Sequence, residues 1–363
     1  WTVEWTAALG GSSATRRFDV AYETASGDVM VLYSRNVGTT NELGYRTKLG
    51  TSGCGSASWT AETTLNPVRT SGIVHYVKLA WDRRAGKDLI AAIWADANAD
   101  LSAMIWSGTA WGNEPTAATE TSLEVVTSAQ DVEDFDVEYE SLSGDVMVVW
   151  ANSAGKNNTN GVRYRACTGG TSACAWGAVT IPPTFRDDAT NLDISANPNT
   201  DEIVFASVGN AASYTQLGYW SGTAWTNTAN ADRTSETPLA GTSIIATGWV
   251  ISGATTRSVV VYGDRSSTQL NWFVGNGGAF TKQADVTLSP APTIPRLFRE
   301  IQMNPLSKDT LMLTFVENAS AVLSKRLVMT ATPTFTWTDS DGAPLGVASQ
   351  KITNPFSFAY WRQ

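Results

Sequence analysis

The segment Phe18–Tyr33 recurs at Phe135–Trp150, and eleven of its sixteen positions are identical. Each copy is two alternating apolar and polar runs joined by Ser-Gly-Asp, which is the pattern of a β-hairpin. A chain that repeats such a hairpin has to pack one sheet on another like it, and this constrains the fold more than any other feature. Weaker copies lie between and after the two, spaced by roughly 52–59 residues, at or slightly above the period of propeller repeats. Convincing helical periodicity with caps is absent.

Each unit reads as four short strands, a to d. The units lie near residues 17–66, 76–123, 134–183, 191–238, 243–288 and 298–342, within one domain spanning 1–363. Two sub-types alternate. Odd units carry Ser26-Gly27-Asp28 and Ser143-Gly144-Asp145; even units carry Trp106-Ser-Gly-Thr-Ala-Trp111, repeated without change at Trp220–Trp225. Asn197-Pro198 before Asp201 is echoed by Asn304-Pro305 before Asp309. A duplicated pair of units accounts for this alternation.

Four short antiparallel strands cannot bury both faces alone, and stacking them radially does so while leaving only short outer edges. The expected fold is therefore all-β, a β-propeller of four-stranded antiparallel blades. Trp1–Thr6 matches strand d and Phe356–Trp361 matches strand a, which predicts seven blades, the last split between residues 1–9 and 351–363. Six blades with extra edge strands is the alternative. A chain opening on Trp1 within a strand reads as a processed or partial form, with strands b and c of the split blade supplied from upstream.

The Phe18–Glu23 run, the Ser-Gly-Asp turn, Tyr45-Arg46-Thr47 and the Trp106–Trp111 hairpin together resemble uncharacterised repeat β-propellers of prokaryotic secreted or cell-surface proteins, some with an N-terminal anchor or pilin-like helix. The Gly-His and Trp-Asp pairs of the WD40 family and the Ser-x-Asp-x-Gly-x-Thr-Trp boxes of sialidase-like propellers are missing. The resemblance implies a secreted or cell-surface setting but its motifs specify no chemistry; the expected function is that of a non-enzymatic adhesion, appendage or binding module.

Composition narrows the partners. A net charge of −9 without a Lys/Arg-rich run argues against nucleic acid. No stretch reaches the ~20 apolar residues of a membrane span. What remains is self-association or a surface glycan or protein ligand. Charged residues are 16% of the chain, a low share that suits an extracellular or cell-surface protein. Cys167 and Cys174 bracket a c–d turn at a spacing that makes a structural disulfide easy, which also fits an oxidising compartment. Cys54 is left over, as a free thiol or an intermolecular link.

Candidate chemistry is sparse. His75, the only histidine, is expected in a loop without a supporting triad motif. No cofactor and no metal site are expected, since one histidine and three scattered cysteines make no zinc pattern. Asp28, Asp88, Asp145, Asp201 and Asp309 recur in a–b turns, either as hairpin chemistry or as a ring of metal or sugar ligands. Asp131, Glu133, Asp134, Asp136 and Glu138, and Asp339 with Asp341, are acidic without the order of a calcium loop. The rival function is a carbohydrate-active enzyme, in which Asp19, Asp136, Glu138 and Asp193 on innermost strands supply paired carboxylates in the channel. Trp59, Trp111, Trp176 and Trp225 recur at one strand position, as inter-blade packing or a carbohydrate platform would require.

Overall fold

The computed structural model describes residues 6, 15–53, 58–68, 70, 72–115, 134–152, 161–182, 189–209, 215–232, 245–263, 269–287, 295–317 and 322–339. These form six antiparallel blades. Blade 1 is β1 (Phe18–Tyr22), β2 (Val29–Ser34), β3 (Leu43–Lys48) and β4 (Thr63–Leu65). Blade 2 is β5 (Val74–Trp81), β6 (Ile90–Asp96), β7 (Leu101–Trp106) and β8 (Trp111–Gly112). Blade 3 is β9 (Phe135–Tyr139), β10 (Val146–Ala151), β11 (Val162–Thr168) and β12 (Ala175–Trp176). Blade 4 is β13 (Ala189–Ala196), β14 (Ile203–Gly209), β15 (Thr215–Trp220) and β16 (Trp225–Asp232). Blade 5 is β17 (Ile245–Ser252), β18 (Thr255–Gly263), β19 (Gln269–Asn276) and β20 (Ala279–Lys282), with β21 (Val286–Thr287) pairing β19. Blade 6 is β22 (Pro295–Met303), β23 (Thr310–Glu317), β24 (Val322–Met329) and β25 (Phe335–Asp339).

The two repeated motifs make two kinds of turn. In odd blades Tyr22 pairs with Val29 and Tyr139 with Val146, and Gly27 and Gly144 close the a–b turns at φ 74° and 73°. In even blades the Trp-to-Trp motif is a c–d hairpin in which Trp106 pairs with Trp111 and Trp220 with Trp225. Gly108 and Gly222 sit there at φ 91°, in the left-handed region that glycine enters at little cost.

The hydrophobic core is a succession of layers between blades. Met30 and Leu32 meet Ile90 and Trp94 between blades 1 and 2. Ile93 and Tyr76 meet Phe135, Val148 and Trp150 between blades 2 and 3. Met147 and Val149 meet Ile194 and Phe205 between blades 3 and 4, and one larger layer joins blades 4, 5 and 6. Alternate residues of one strand thus serve opposite neighbours, the consequence of a side-chain period of two. Phe18 and Val20, the counterparts of buried Phe135 and Val137, are half-buried, because they face away from blade 2 and no core layer among the described residues joins blade 6 to blade 1.

Six blades fit the structure, not seven. All six innermost strands line one axial cavity, so six blades surround the axis. Apart from Thr6, the residues 1–9 and 351–363 assigned to a split seventh blade lie outside the described residues.

The seams between blades are specific. At the seam of blades 1 and 2, Trp106 Nε1 donates to Glu23 Oε1 at 2.5 Å, Ser26 Oγ to Glu23 Oε2 at 2.7 Å, and Asp88 Oδ1 accepts the amides of Ala25 and Ser26 at 2.8 and 3.0 Å. Blades 3 and 4 repeat this device: Trp220 Nε1 donates to Glu140 at 2.5 Å, Ser143 Oγ to Glu140 at 2.6 Å, and Asp201 accepts the amides of Leu142 and Ser143 at 2.7 and 2.9 Å. Between blades 2 and 3 the parts differ. Arg84, ion-paired with buried Asp82 at 2.6 Å, donates to the carbonyls of Ser143 and Gly170 at 2.6 and 2.9 Å. Asn113 Nδ2 donates to Cys174 O at 2.9 Å, and Trp176 Nε1 to Asn113 O at 2.7 Å.

Candidate functional site

Five of the six innermost strands contribute a polar side chain to the wall of one cavity: Asp19 on β1, Lys78 on β5, Asp136 on β9, Asp193 on β13 and Thr247 on β17. The cavity they line has a volume of ≈ 570 Å³, within the range of about 300–1,000 Å³ usual for small-ligand sites. Its lining runs from these residues to Glu23, Thr24, Arg83, Pro198 and Pro305, so it faces the a–b-turn end of the molecule.

The three cations in the wall are each paired with a carboxylate. Arg16 reaches Asp19 Oδ1 at 2.6 Å, Lys78 reaches Asp136 Oδ1 at 3.2 Å, and Arg83 reaches Glu138 Oε1 at 3.2 Å. The same aspartates tie blade to blade. Asp19 Oδ2 accepts the amide of Leu79 at 2.8 Å, Asp136 Oδ2 that of Ile194 at 2.9 Å, and Asp193 Oδ2 both the amide and hydroxyl of Thr247 at 2.7 Å. Carboxylates repeated at this position are therefore struts of the ring as well as cavity walls.

Apolar surface alternates with the charges. Tyr22, Trp81 and Trp249 line the cavity, the Arg83 guanidinium lies 5.3 Å from the centre of the Trp81 ring, and Trp249 Nε1 is anchored to Ser195 O at 2.8 Å. The cavity changes the acidity of its carboxyls. Loss of hydration pushes Asp193 well above the ordinary aspartate range, with the charge of Asp136 adding to the effect and Lys78 opposing it. Burial also raises Glu138, against the pull of Arg83. Glu23 rises for the same reason, opposed by its bonds from Ser26 and Trp106.

Several expectations change. His75 lies in strand β5, not a loop; it is buried, burial lowers its basicity, and its Nδ1 has no hydrogen-bond partner among the described residues. The Asp turn series is less local than hairpin chemistry alone requires. Asp28 and Asp145 hold the amides of Gly50 and Gly169 in their own c–d turns at 2.8 and 2.7 Å, while Asp88 and Asp201 reach the preceding blade. Asp136 and Glu138 belong to the cavity, Asp134 is buried, and Asp131, Glu133 and Asp341 lie outside the described residues. Among the described residues no group of three or more His, Cys, Asp or Glu is placed to hold a metal ion.

Trp225 is buried between blades 3 and 4, and Trp111 and Trp176 pack at the edges of inter-blade layers. Trp59 instead lies half-buried with Lys48 Nζ 5.7 Å above its ring. Cys167 and Cys174 are joined by a disulfide across the c–d turn of blade 3; Cys54 lies outside the described residues. The partners Lys78, Arg16 and Arg83 carry no repeat signal in the sequence, since Lys78 stands where odd units have Asp.

No protein-family model matches the chain, and no curated protein matches it in sequence. Solved structures do match. The SapL1 lectin, in complex with alpha methyl fucoside, is 11% identical, with 91% of this chain and 97% of that chain covered and a TM-score of 0.50. The polysaccharide lyase Uly1 is 9% identical over 86% of this chain and 77% of that chain, with a TM-score of 0.50. The fungal lectin of Aleuria aurantia, described as a six-bladed β-propeller, is 13% identical over 92% and 98% of the two chains, with a TM-score of 0.48. At such identities the likeness to SapL1 and Uly1 is one of fold alone; the six four-stranded antiparallel blades are read from this chain's own sheets.

Proposed function

We propose that this protein is a non-enzymatic carbohydrate-binding propeller, secreted or displayed at a cell surface, whose ligand enters the axial cavity from the a–b-turn end. The carrying observation is the wall itself, where Tyr22, Trp81 and Trp249 alternate with hydrogen-bonding charged groups in ≈ 570 Å³. Sugars present apolar ring faces flanked by hydroxyls, and aromatic faces beside fixed polar groups recognise that pattern. The SapL1 lectin and the polysaccharide lyase Uly1 share the fold, which agrees with a carbohydrate ligand. The disulfide supports an oxidising compartment.

Hydrolysis is the second reading, favoured by the upward shifts of Asp193 and Glu138 in one cavity. A glycosidase needs two available carboxyl groups across its cleft. Asp19 and Asp136 are not available, because both oxygens of each accept bonds from the ring or from a cation. Titration of tryptophan fluorescence with neutral oligosaccharides tests the main reading, with saturable quenching expected and its loss in Trp81→Ala. Absence of quenching by every oligosaccharide contradicts it. New reducing ends that vanish in Glu138→Gln establish the hydrolase instead.

A further inference from the structure

Three aspartates at one structural position are bonded differently. Asp19 Oδ1 accepts from Arg16 and from the amide of Val20 at 2.6 and 2.9 Å, and its Oδ2 from Leu79. Asp136 Oδ1 takes the Lys78 ammonium and the amide of Val137 at 3.2 and 2.9 Å, and its Oδ2 takes Ile194. At Asp193 both donors, the amide and the hydroxyl of Thr247, go to Oδ2. Its Oδ1 has no donor among the described residues, although the residue lines the cavity.

The wall's charge balance points the same way. Its described side chains include five carboxyls, Asp19, Glu23, Asp136, Glu138 and Asp193, against the three cations Arg16, Lys78 and Arg83. Each cation has a carboxylate partner. Of the two carboxyls left over, Glu23 is closed by Trp106 Nε1 and Ser26 Oγ. Among the described residues Asp193 is then the one with an open oxygen, with the charges of both Asp136 and Lys78 acting on it.

We propose that Asp193 anchors the ligand and that the cavity selects sugars bearing a protonated amine over neutral ones, and rejects acidic ones. This rests on the carbohydrate-binding reading above. An ammonium group supplies Oδ1 with the donor it lacks and offsets the excess of carboxylate. A uronic acid would bring a carboxylate against the charge of Asp136 in a wall whose cations are already engaged, and like charges in a poorly hydrated site repel strongly. The upward shift of Asp193 has the same origin, poor hydration next to a negative neighbour.

Calorimetric titration with oligomers of glucosamine, N-acetylglucosamine and galacturonic acid of equal length decides this. The assay is run at about pH 6, where an ordinary amine is charged. The amine oligomer should bind about ten-fold or more tighter than its acetylated twin, the acidic oligomer should not bind, and the preference should shrink with added salt. Asp193→Asn, which can still accept from Thr247, should erase the preference, so that the amine and N-acetylated oligomers bind equally. Thr247→Val should keep the preference, since the carboxyl stays in place. Equal or tighter binding of the acetylated or acidic oligomer overturns the assignment and leaves the carbohydrate site standing; no binding of any oligomer overturns both. If Asp193→Asn fails to fold, the rank order of the three oligomers on the unaltered protein still separates these outcomes.

Discussion

The seams inside blade pairs and the seam between pairs are built from different parts. Blades 1 and 2, and again blades 3 and 4, are joined by a glutamate bolted to a tryptophan and an aspartate holding the neighbour's turn. Blades 2 and 3 are joined by Arg84 and by the disulfide-bearing turn. The odd and even motifs of the sequence prove to be two halves of one joint. The joint recurs with its pair of blades, as a duplicated pair requires, whereas the joint between blades 2 and 3 is made by Arg84 and Asn113.

Breaking the copied joint should have the largest effect. Trp220→Ala opens a cavity between blades 3 and 4 and removes the donor to Glu140, for a loss of about 3–5 kcal/mol in urea unfolding. Trp106→Ala should match it to within about 1 kcal/mol if the joints are equivalent; a gap of several kcal/mol would separate them. Arg84→Ala attacks the single joint. Among the described residues it leaves buried Asp82 with only the amide of residue 84 as a donor and frees two carbonyls, but the arginine side chain is itself 20% exposed, so about 2–4 kcal/mol is expected. A loss under about 0.5 kcal/mol would show that Arg84 is no clamp.

Removing the disulfide with Cys167→Ala and Cys174→Ala has a smaller effect, about 2–3 kcal/mol at most, because a seven-residue separation restricts the unfolded chain only modestly. Mass spectrometry of an unreduced digest should find the two cysteines linked; alkylation of both thiols would contradict it. The smallest effect is a slope with pH. Asp193 holds its proton more tightly folded than unfolded, so its contribution is full below the unfolded value of about 3.9 and fades as pH rises through the folded one. His75, buried and less basic, acts oppositely below about 6.5. The difference between the protein and Asp193→Asn isolates the first effect, and identical pH profiles would remove it.

What the sequence displays follows the same division. Strands, turns and their alternation are written locally, in the period of Phe18–Tyr33 and the Trp106–Trp111 hairpin, and so they are legible. Lys78 facing Asp136 and Asp19 gripping Leu79 join residues about sixty apart through the ring, which no local pattern encodes. Strand-like composition at the ends of the chain resembles strands d and a without stating what they pair with, so the sequence overstates the blade number. Asp19, Asp136, Glu138 and Asp193 are recognisable as channel residues from their place on the innermost strands; that two of them are fully engaged as struts is not.

The joints also bear on function, because they recur and the cavity does not. Tyr164, Trp220 and Trp225 cluster between blades 3 and 4 as Tyr45, Trp106 and Trp111 do between blades 1 and 2, with ring centres 5.5–6.3 Å apart. A carbohydrate platform made of these rings would offer several sites per chain; the axial cavity offers one. Calorimetric stoichiometry with a saturating oligosaccharide separates the two. One ligand per chain is expected, with heat lost in Trp81→Ala and kept in Trp111→Ala; two or more ligands per chain, insensitive to Trp81→Ala, would contradict binding in the axial cavity.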